Sequence, residues 1–304
     1  MIVVVCPGQG SQTPGFLEPW LAEPAYRELV ESCSQAAGID LVEHGTTSDA
    51  DTIRDTAVAQ PLIVAAGLVT LTALREAGAS FDGIAGHSVG EITAAVGAEV
   101  LSASDGMAFV AERANAMAQA AAAVPTGMSA VLGGDPEEVV AHVREFGLEP
   151  ANYNGGGQIV VAGTLEELAR LAEQPLRGTR VVPLQVAGAF HTRYMEPARE
   201  HLQTQASAFV ATDPTIPLWT NRDGSRVTDG ALFLQLLVGQ VASPVRWDLC
   251  MESFTESGVT GLIELAPAGA LVGLAKRGLK SVPTVGVRTP DDLSAALELI
   301  ARAA

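Results

Sequence analysis

The pentapeptide Gly86-His87-Ser88-Val89-Gly90 constrains the fold of this chain more than any other stretch. It matches G-x-S-x-G, in which a serine occupies a sharp turn between a strand and a helix. Glycine at both ends is a steric demand, because a Cβ at either place would run into neighbouring backbone. The flanks agree with this reading. Phe81–Gly86 (FDGIAG) predicts a short buried strand, and Glu91–Val100 (EITAAVGAEV) an Ala-rich helix. Such a turn lifts Ser88 Oγ clear of the backbone. The free amides of the helix N-terminus, Val89 N–H nearest, then face an anion formed by attack on a carbonyl. The bare pattern also occurs in ordinary Gly/Ser turns; its place between strand and helix is what favours chemistry.

The rest of the chain supplies a setting for that turn. Ile2–Cys6 has the length of a buried strand and runs directly into the loop Pro7-Gly8-Gln9-Gly10-Ser11-Gln12. Helices are expected over Ala57–Ala77, with Pro61 near its start, and over Ala103–Ala122. From about Met128 the rhythm changes. Strands at Ser129–Gly133, Pro150–Asn154, Gln158–Ala162 and Arg180–Val186 alternate with helices at Asp135–Phe146 and Leu165–Glu173, the order β-α-β-β-α-β of ferredoxin-like units. Strands at Pro217–Trp219 and Gly261–Leu265 and helices at Gly230–Gly239 and Leu271–Arg277 follow. The expected fold is therefore α/β. A hydrolase-like core with a mainly parallel sheet spans residues 1–125 and 191–304, and a small ferredoxin-like domain, 126–190, is inserted into it.

Composition narrows the function classes. A formal net charge of −17 argues against nucleic acid as a partner, since phosphate binding needs a basic surface. Neither a signal peptide nor a membrane span is expected. Cys6, Cys33 and Cys250 are scattered and form no C-x-x-C, so no disulfide framework and no metal site is implied, and the chain reads as cytoplasmic. The only two lysines, Lys276 and Lys280, bracket Arg277. On so acidic a chain this cluster is a candidate docking patch for an acidic partner or a phosphorylated cofactor, although cations at a helix end also simply offset the macrodipole.

A serine nucleophile needs a base, and the chain has five histidines. His44, His142 and His201 lie in polar or charge-rich segments and read as surface residues. His87, adjacent to Ser88, points away from the serine side of the turn and reads as a wall or a backbone hydrogen-bond partner. His191 follows the apolar run Val186–Phe190 at the junction of the two domains, where it can take the Ser88 proton and return it to a leaving thiol. No acid between Ser88 and His191 falls at an obvious strand end. That counts against a plain esterase, but a main-chain carbonyl can orient a base equally well.

Five motifs carry a family resemblance: PGQGSQ at 7–12, GHSVGE at 86–91, Arg113, GAFH at 188–191 and SPVRW at 243–247. In this order the chain resembles the malonyl-CoA:acyl-carrier-protein transacylases over essentially its whole length. The resemblance implies a ping-pong transfer of malonyl from malonyl-CoA to the phosphopantetheine thiol of acyl carrier protein, with no metal or redox cofactor. It assigns Ser88 as nucleophile and His191 as base, and the backbone amides of Gln9 and Val89 as the oxyanion hole. Arg113, 25 residues beyond Ser88, would hold the free malonyl carboxylate. Phe190 would wall the acyl pocket against a methyl branch, since methylmalonyl-selective relatives carry serine there. Asn154 and His87 would line the same cleft.

One departure stands out. Many relatives read Asn-Pro-Val-Gln-Trp where this chain has Ser243-Pro244-Val245-Arg246-Trp247, a segment thought to orient the histidine. Arginine has only donors, so a backbone carbonyl must accept from the imidazole, with those of Ser243 and Arg246 the candidates. A serine hydrolase on the same elbow, a non-catalytic carrier-binding subunit and a polyketide or malonate-decarboxylase transferase are the alternatives.

Overall fold

The computed structural model describes residues 1–303 and contains two sheets. The strands in chain order are β1 (Ile2–Cys6), β2 (Gly83–Gly86), β3 (Thr126–Leu132), β4 (Glu149–Gly155), β5 (Gln158–Thr164) and β6 (Arg180–Pro183), then β7 (Leu218–Trp219), β8 (Arg226–Val227), β9 (Val245–Arg246), β10 (Gly261–Glu264) and β11 (Thr284–Gly286). The first sheet has the order β11-β10-β1-β2-β7-β8 and is parallel except for the β7–β8 edge pair. Its central strand β1, IVVVC, is buried throughout, as a strand covered on both faces must be. Side chains alternate across it. Ile2, Val4 and Cys6 join a core with helices 56–76 and 103–123, while Val3 and Val5 pack with Trp219, Trp247 and Leu271 on the other face.

The second sheet has the order β6-β3-β5-β4-β9, its first four strands antiparallel in the ferredoxin-like arrangement. Val131, Ile159 and Val161 pack on one face against Val139, Val143, Leu168 and Leu171 of helices 136–145 and 165–173. Asp135 caps the first of these helices by accepting from the amides of Glu137 and Glu138, with Pro136 at its first position. The edge strand β9 comes from outside residues 126–190. It pairs in parallel with β4, so the small sheet is completed by the chain that follows it.

The structure departs from the sequence expectation in several elements. Arg180–Val186 is a strand only to Pro183, and Leu184–Val186 leave the sheet to line a cleft. Helices Trp247–Glu256 and Leu293–Ala303 and the edge strand β11 go beyond that expectation. Pro61 lies inside the helix Thr56–Glu76 rather than in its first turn. That helix is also long and apolar enough to cross a membrane, contrary to the expectation that no segment is. It is buried along nearly its whole length against the sheet and neighbouring helices, which accounts for its apolarity.

Candidate active site

β2 ends at Gly86 and helix 90–97 begins four residues later, so the elbow forms as the motif implies. A Cβ on Gly86 would lie 2.0 Å from the Gly90 carbonyl carbon, and one on Gly90 would lie 2.2 Å from the Cys6 oxygen. Nothing larger than glycine fits either place. Ser88 is held at φ 52°, and its amide donates to Asn221 Oδ1 at 2.7 Å. Among the described residues the amides of Gln9 and Val89 donate to no protein acceptor. Both residues line the cleft, so these two N–H groups are free for a developing oxyanion.

Ser88 Oγ lies 2.8 Å from His191 Nε2. His191 is anchored twice at the C-terminus of helix 230–240, its own N–H donating to Val241 O at 3.0 Å and its Nδ1 lying 2.9 Å from Gln240 O. The last carbonyls of a helix have no partner within it and carry its negative partial charge, so they fix the tautomer and favour an imidazolium when one forms. This corrects the assignment of the acceptor to Ser243 or Arg246. The carbonyl within hydrogen-bond distance of Nδ1 is that of Gln240, and the Ser243 backbone adds a smaller effect that also favours the charged ring. Arg246 instead pairs with Asp248 and lies over the Tyr153 ring at 4.6 Å, while Trp247 packs edge-on against His87. The 243–247 segment thus completes the small sheet and braces the elbow.

Arg113, in the middle of helix 103–123, is 1% exposed. Its Nη1 donates to Gln60 Oε1 at 2.5 Å, and its Nη2 to Gln240 Oε1 at 2.7 Å and to Ser88 Oγ at 3.3 Å. All three partners are neutral. A buried cation bonded only to neutral acceptors, with the Glu91 charge acting on it without a direct hydrogen bond, retains a preference for an anion beside it. Burial, and then the charge of Arg113, push His191 down to about 3, so the imidazole is neutral and ready to accept a proton.

The cleft has a volume of about 760 Å³ and runs between the two sheets. Met128, Ala130 and Val160 line it from the small sheet, and Phe190, 6% exposed, closes it beside His191. His87 Nε2 and Asn154 Oδ1, 2.9 Å apart, link the elbow to β4, and Asn154 also donates to Gln158. Arg277 reaches the lining of the cleft, but Lys276 and Lys280 are exposed on the helix end outside it. The structure therefore divides the basic cluster. His44, His142 and His201 bond to Ser48, the Gln174 carbonyl and Glu112, away from the cleft.

Four polar residues of the site escape the sequence reading: Gln60, Glu91, Asn221 and Gln240. Glu91 carries a signal, since it closes the GHSVGE motif on the first turn of the helix. The other three are single polar side chains in otherwise ordinary segments.

The model of the acyl transferase domain family matches residues 3–296. The chain belongs to this family. A malonyl CoA-acyl carrier protein transacylase of Mycobacterium tuberculosis is 49% identical over 297 residues, 96% of this chain and 98% of that protein. A crystal structure of the enzyme from that organism superposes with a TM-score of 0.94 at 48% identity, covering 97% of this chain and 99% of the other. A type II polyketide-synthase acyl-carrier protein in complex with its malonyl-transacylase includes a chain 30% identical to this one, with a TM-score of 0.92 and 98% and 99% coverage. In acyltransferase terms, the elbow serine and the histidine line the cleft and the buried arginine stands beside the nucleophile.

Proposed function

We propose that this acyltransferase moves the malonyl group from malonyl-CoA to the phosphopantetheine thiol of acyl carrier protein, supplying malonyl units for fatty-acid and polyketide assembly in the cytoplasm. The observation that carries this reading is the position of Ser88 Oγ between His191 Nε2 at 2.8 Å and Arg113 Nη2 at 3.3 Å. Simple ester hydrolysis has no use for the buried guanidinium, whereas an acyl group ending in a carboxylate needs a cation close to the reacting carbon. The relatives' names and the carrier-protein complex support the donor and the acceptor.

The chemistry follows from the geometry. His191 Nε2 takes the Ser88 proton as Oγ bonds to the thioester carbon, and the amides of Gln9 and Val89 hold the oxyanion. The C–S bond then breaks, and the imidazolium returns its proton to the departing thiolate. The carrier thiol reverses these steps. A malonyl carboxylate against Arg113 offsets the larger of the two charge effects that, with burial, depress His191, so the base strengthens when the dicarboxylic acyl group is in place. Acetyl groups lack this effect.

Intact-mass spectra after brief exposure to malonyl-CoA test the scheme. One malonyl adduct is expected on the wild type, none on Ser88→Ala, and a slowing of roughly 10⁴- to 10⁶-fold on His191→Ala. Adding carrier protein should discharge the adduct far faster than water does. Discharge to water at the same rate would make the chain a hydrolase.

A further inference from the structure

Glu91 lies in the first turn of helix 90–97, three residues beyond Ser88, and is 1% exposed. Its Oε1 accepts the main-chain N–H of Asn221 at 2.7 Å, and its Oε2 accepts from Gln240 Nε2. Asn221 in turn accepts the Ser88 amide through Oδ1 and donates through Nδ2 to the Gly86 carbonyl at 2.7 Å. Gln240 presents its Oε1 to Arg113 and its Nε2 to the Ser88 carbonyl at 3.2 Å as well as to Glu91. Its backbone carbonyl holds His191. One carboxylate thus joins the nucleophile's turn to the arginine and to the helix end that carries the base.

A primary amide has one accepting and one donating end. Gln240 can offer its oxygen to Arg113 only if its NH2 finds acceptors on the other side, and these are the Ser88 carbonyl and the Glu91 carboxylate. The Asn221 donor is main-chain and cannot turn away. We infer that Glu91 is a positioning residue for the acyl carboxylate site: by accepting from both Asn221 N–H and Gln240 Nε2 it fixes the orientation of the Gln240 amide, and through it the Arg113 guanidinium. Burial pushes the Glu91 carboxyl up, while its donors and the nearby Arg113 charge pull it down; both of its oxygens accept in the structure, which is the hydrogen-bonding pattern of the ionised form. This inference rests on the reading of Arg113 as the holder of the malonyl carboxylate.

Glu91→Gln separates the two ideas. The introduced amide must turn its oxygen to Asn221 N–H, so its NH2 meets the NH2 of Gln240 and pushes that side chain out of line with the Ser88 carbonyl and with Arg113. The malonyl-CoA KM is expected to rise roughly 10- to 150-fold, the value of one hydrogen bond to a charged group, and the preference for malonyl over acetyl to fall with it. The double variant Glu91→Gln/Gln240→Glu removes the donor–donor clash, because a carboxylate at position 240 accepts both from the amide introduced at position 91 and from Arg113, and the direct ion pair with Arg113 outweighs the lost bond to the Ser88 carbonyl. Its melting temperature should exceed that of the single variant. The malonyl preference should stay lost, since Arg113 is now neutralised from within.

A folded Glu91→Gln that keeps the wild-type malonyl-to-acetyl ratio overturns the inference. So does a double variant no more stable than the single one. Arg113→Ala is measured alongside. If it loses the malonyl preference while Glu91→Gln retains it, only the role of Glu91 fails. If Arg113→Ala keeps the preference, the carboxylate reading falls and the inference falls with it.

Discussion

Ser88 and His191, whose Oγ and Nε2 atoms lie 2.8 Å apart, both sit in left-handed backbone, at φ 52° and 62°. Residues other than glycine reach this region at a cost of about 1–3 kcal/mol each. Each is held there by a hydrogen bond from its own amide, Ser88 to Asn221 Oδ1 and His191 to the Val241 carbonyl. Neither side chain must be steered into place when substrate arrives, because the backbone has already aimed both.

The elbow depends on two backbone approaches that leave no room for a methyl group. Gly86→Ala would place its Cβ against the main chain of Gly90 and Glu91. Backbone cannot give way as a flexible side chain can. A destabilisation on the order of 4 kcal/mol is expected, read as a lower melting temperature or loss of folded protein. Unchanged stability would mean that the turn is looser than this geometry requires.

The pH profile follows from His191. Burial first, and Arg113 second, depress it to about 3, and the neutral ring is the active base. Activity governed by this group is lost only as pH falls toward 3, well below the ordinary 6.5. Acylation kcat/KM for malonyl-CoA should therefore stay nearly level from about pH 7.5 to about pH 5. In Arg113→Gln one depressing charge is gone, so the acid limb should move upward toward 6.5. A wild-type limb centred near that ordinary value would contradict this electrostatic account.

Phe190 closes the cleft beside the base, and a rigid ring there leaves little room for a branch at the acyl C2 position. Misfit of one methyl group is worth roughly 1–3 kcal/mol, or about 10–200-fold. Phe190→Ser should admit methylmalonyl-CoA measurably and slow malonyl transfer, because the pocket becomes looser and wetter. Comparison of the two acyl-CoA rates checks this. A wild type that handles both equally would reduce Phe190 to a packing residue.

Carrier recognition has to work against the overall charge of −17. Lys276 and Lys280 are exposed on either side of Arg277 in the chain, and Arg277 enters the cleft lining. Charge reversal of both lysines to Glu should raise the KM for an acidic carrier protein in a salt-dependent way and leave that for malonyl-CoA nearly unchanged. Equal changes in both would assign the patch to the CoA phosphates or to the fold.

Local signals made much of this protein legible. The strand IVVVC, the paired glycines around Ser88, the Asp-Pro start of helix 136–145 and the βαββαβ order each depend on neighbours within a few residues, where alternation and turn chemistry leave a readable pattern. The motifs also singled out Ser88, His191 and Arg113, which the fold brings together. What holds those three was decided by tertiary structure alone. Gln60 reaches Arg113 across 53 positions, Asn221 reaches Ser88 across 133, and Gln240 reaches Glu91 across 149. The Gln240 carbonyl serves His191 because a helix happens to end there. Single polar residues have no periodicity to betray them. A buried donor or acceptor must find its partner wherever the folded chain brings one, and that requirement binds segments that sequence leaves far apart.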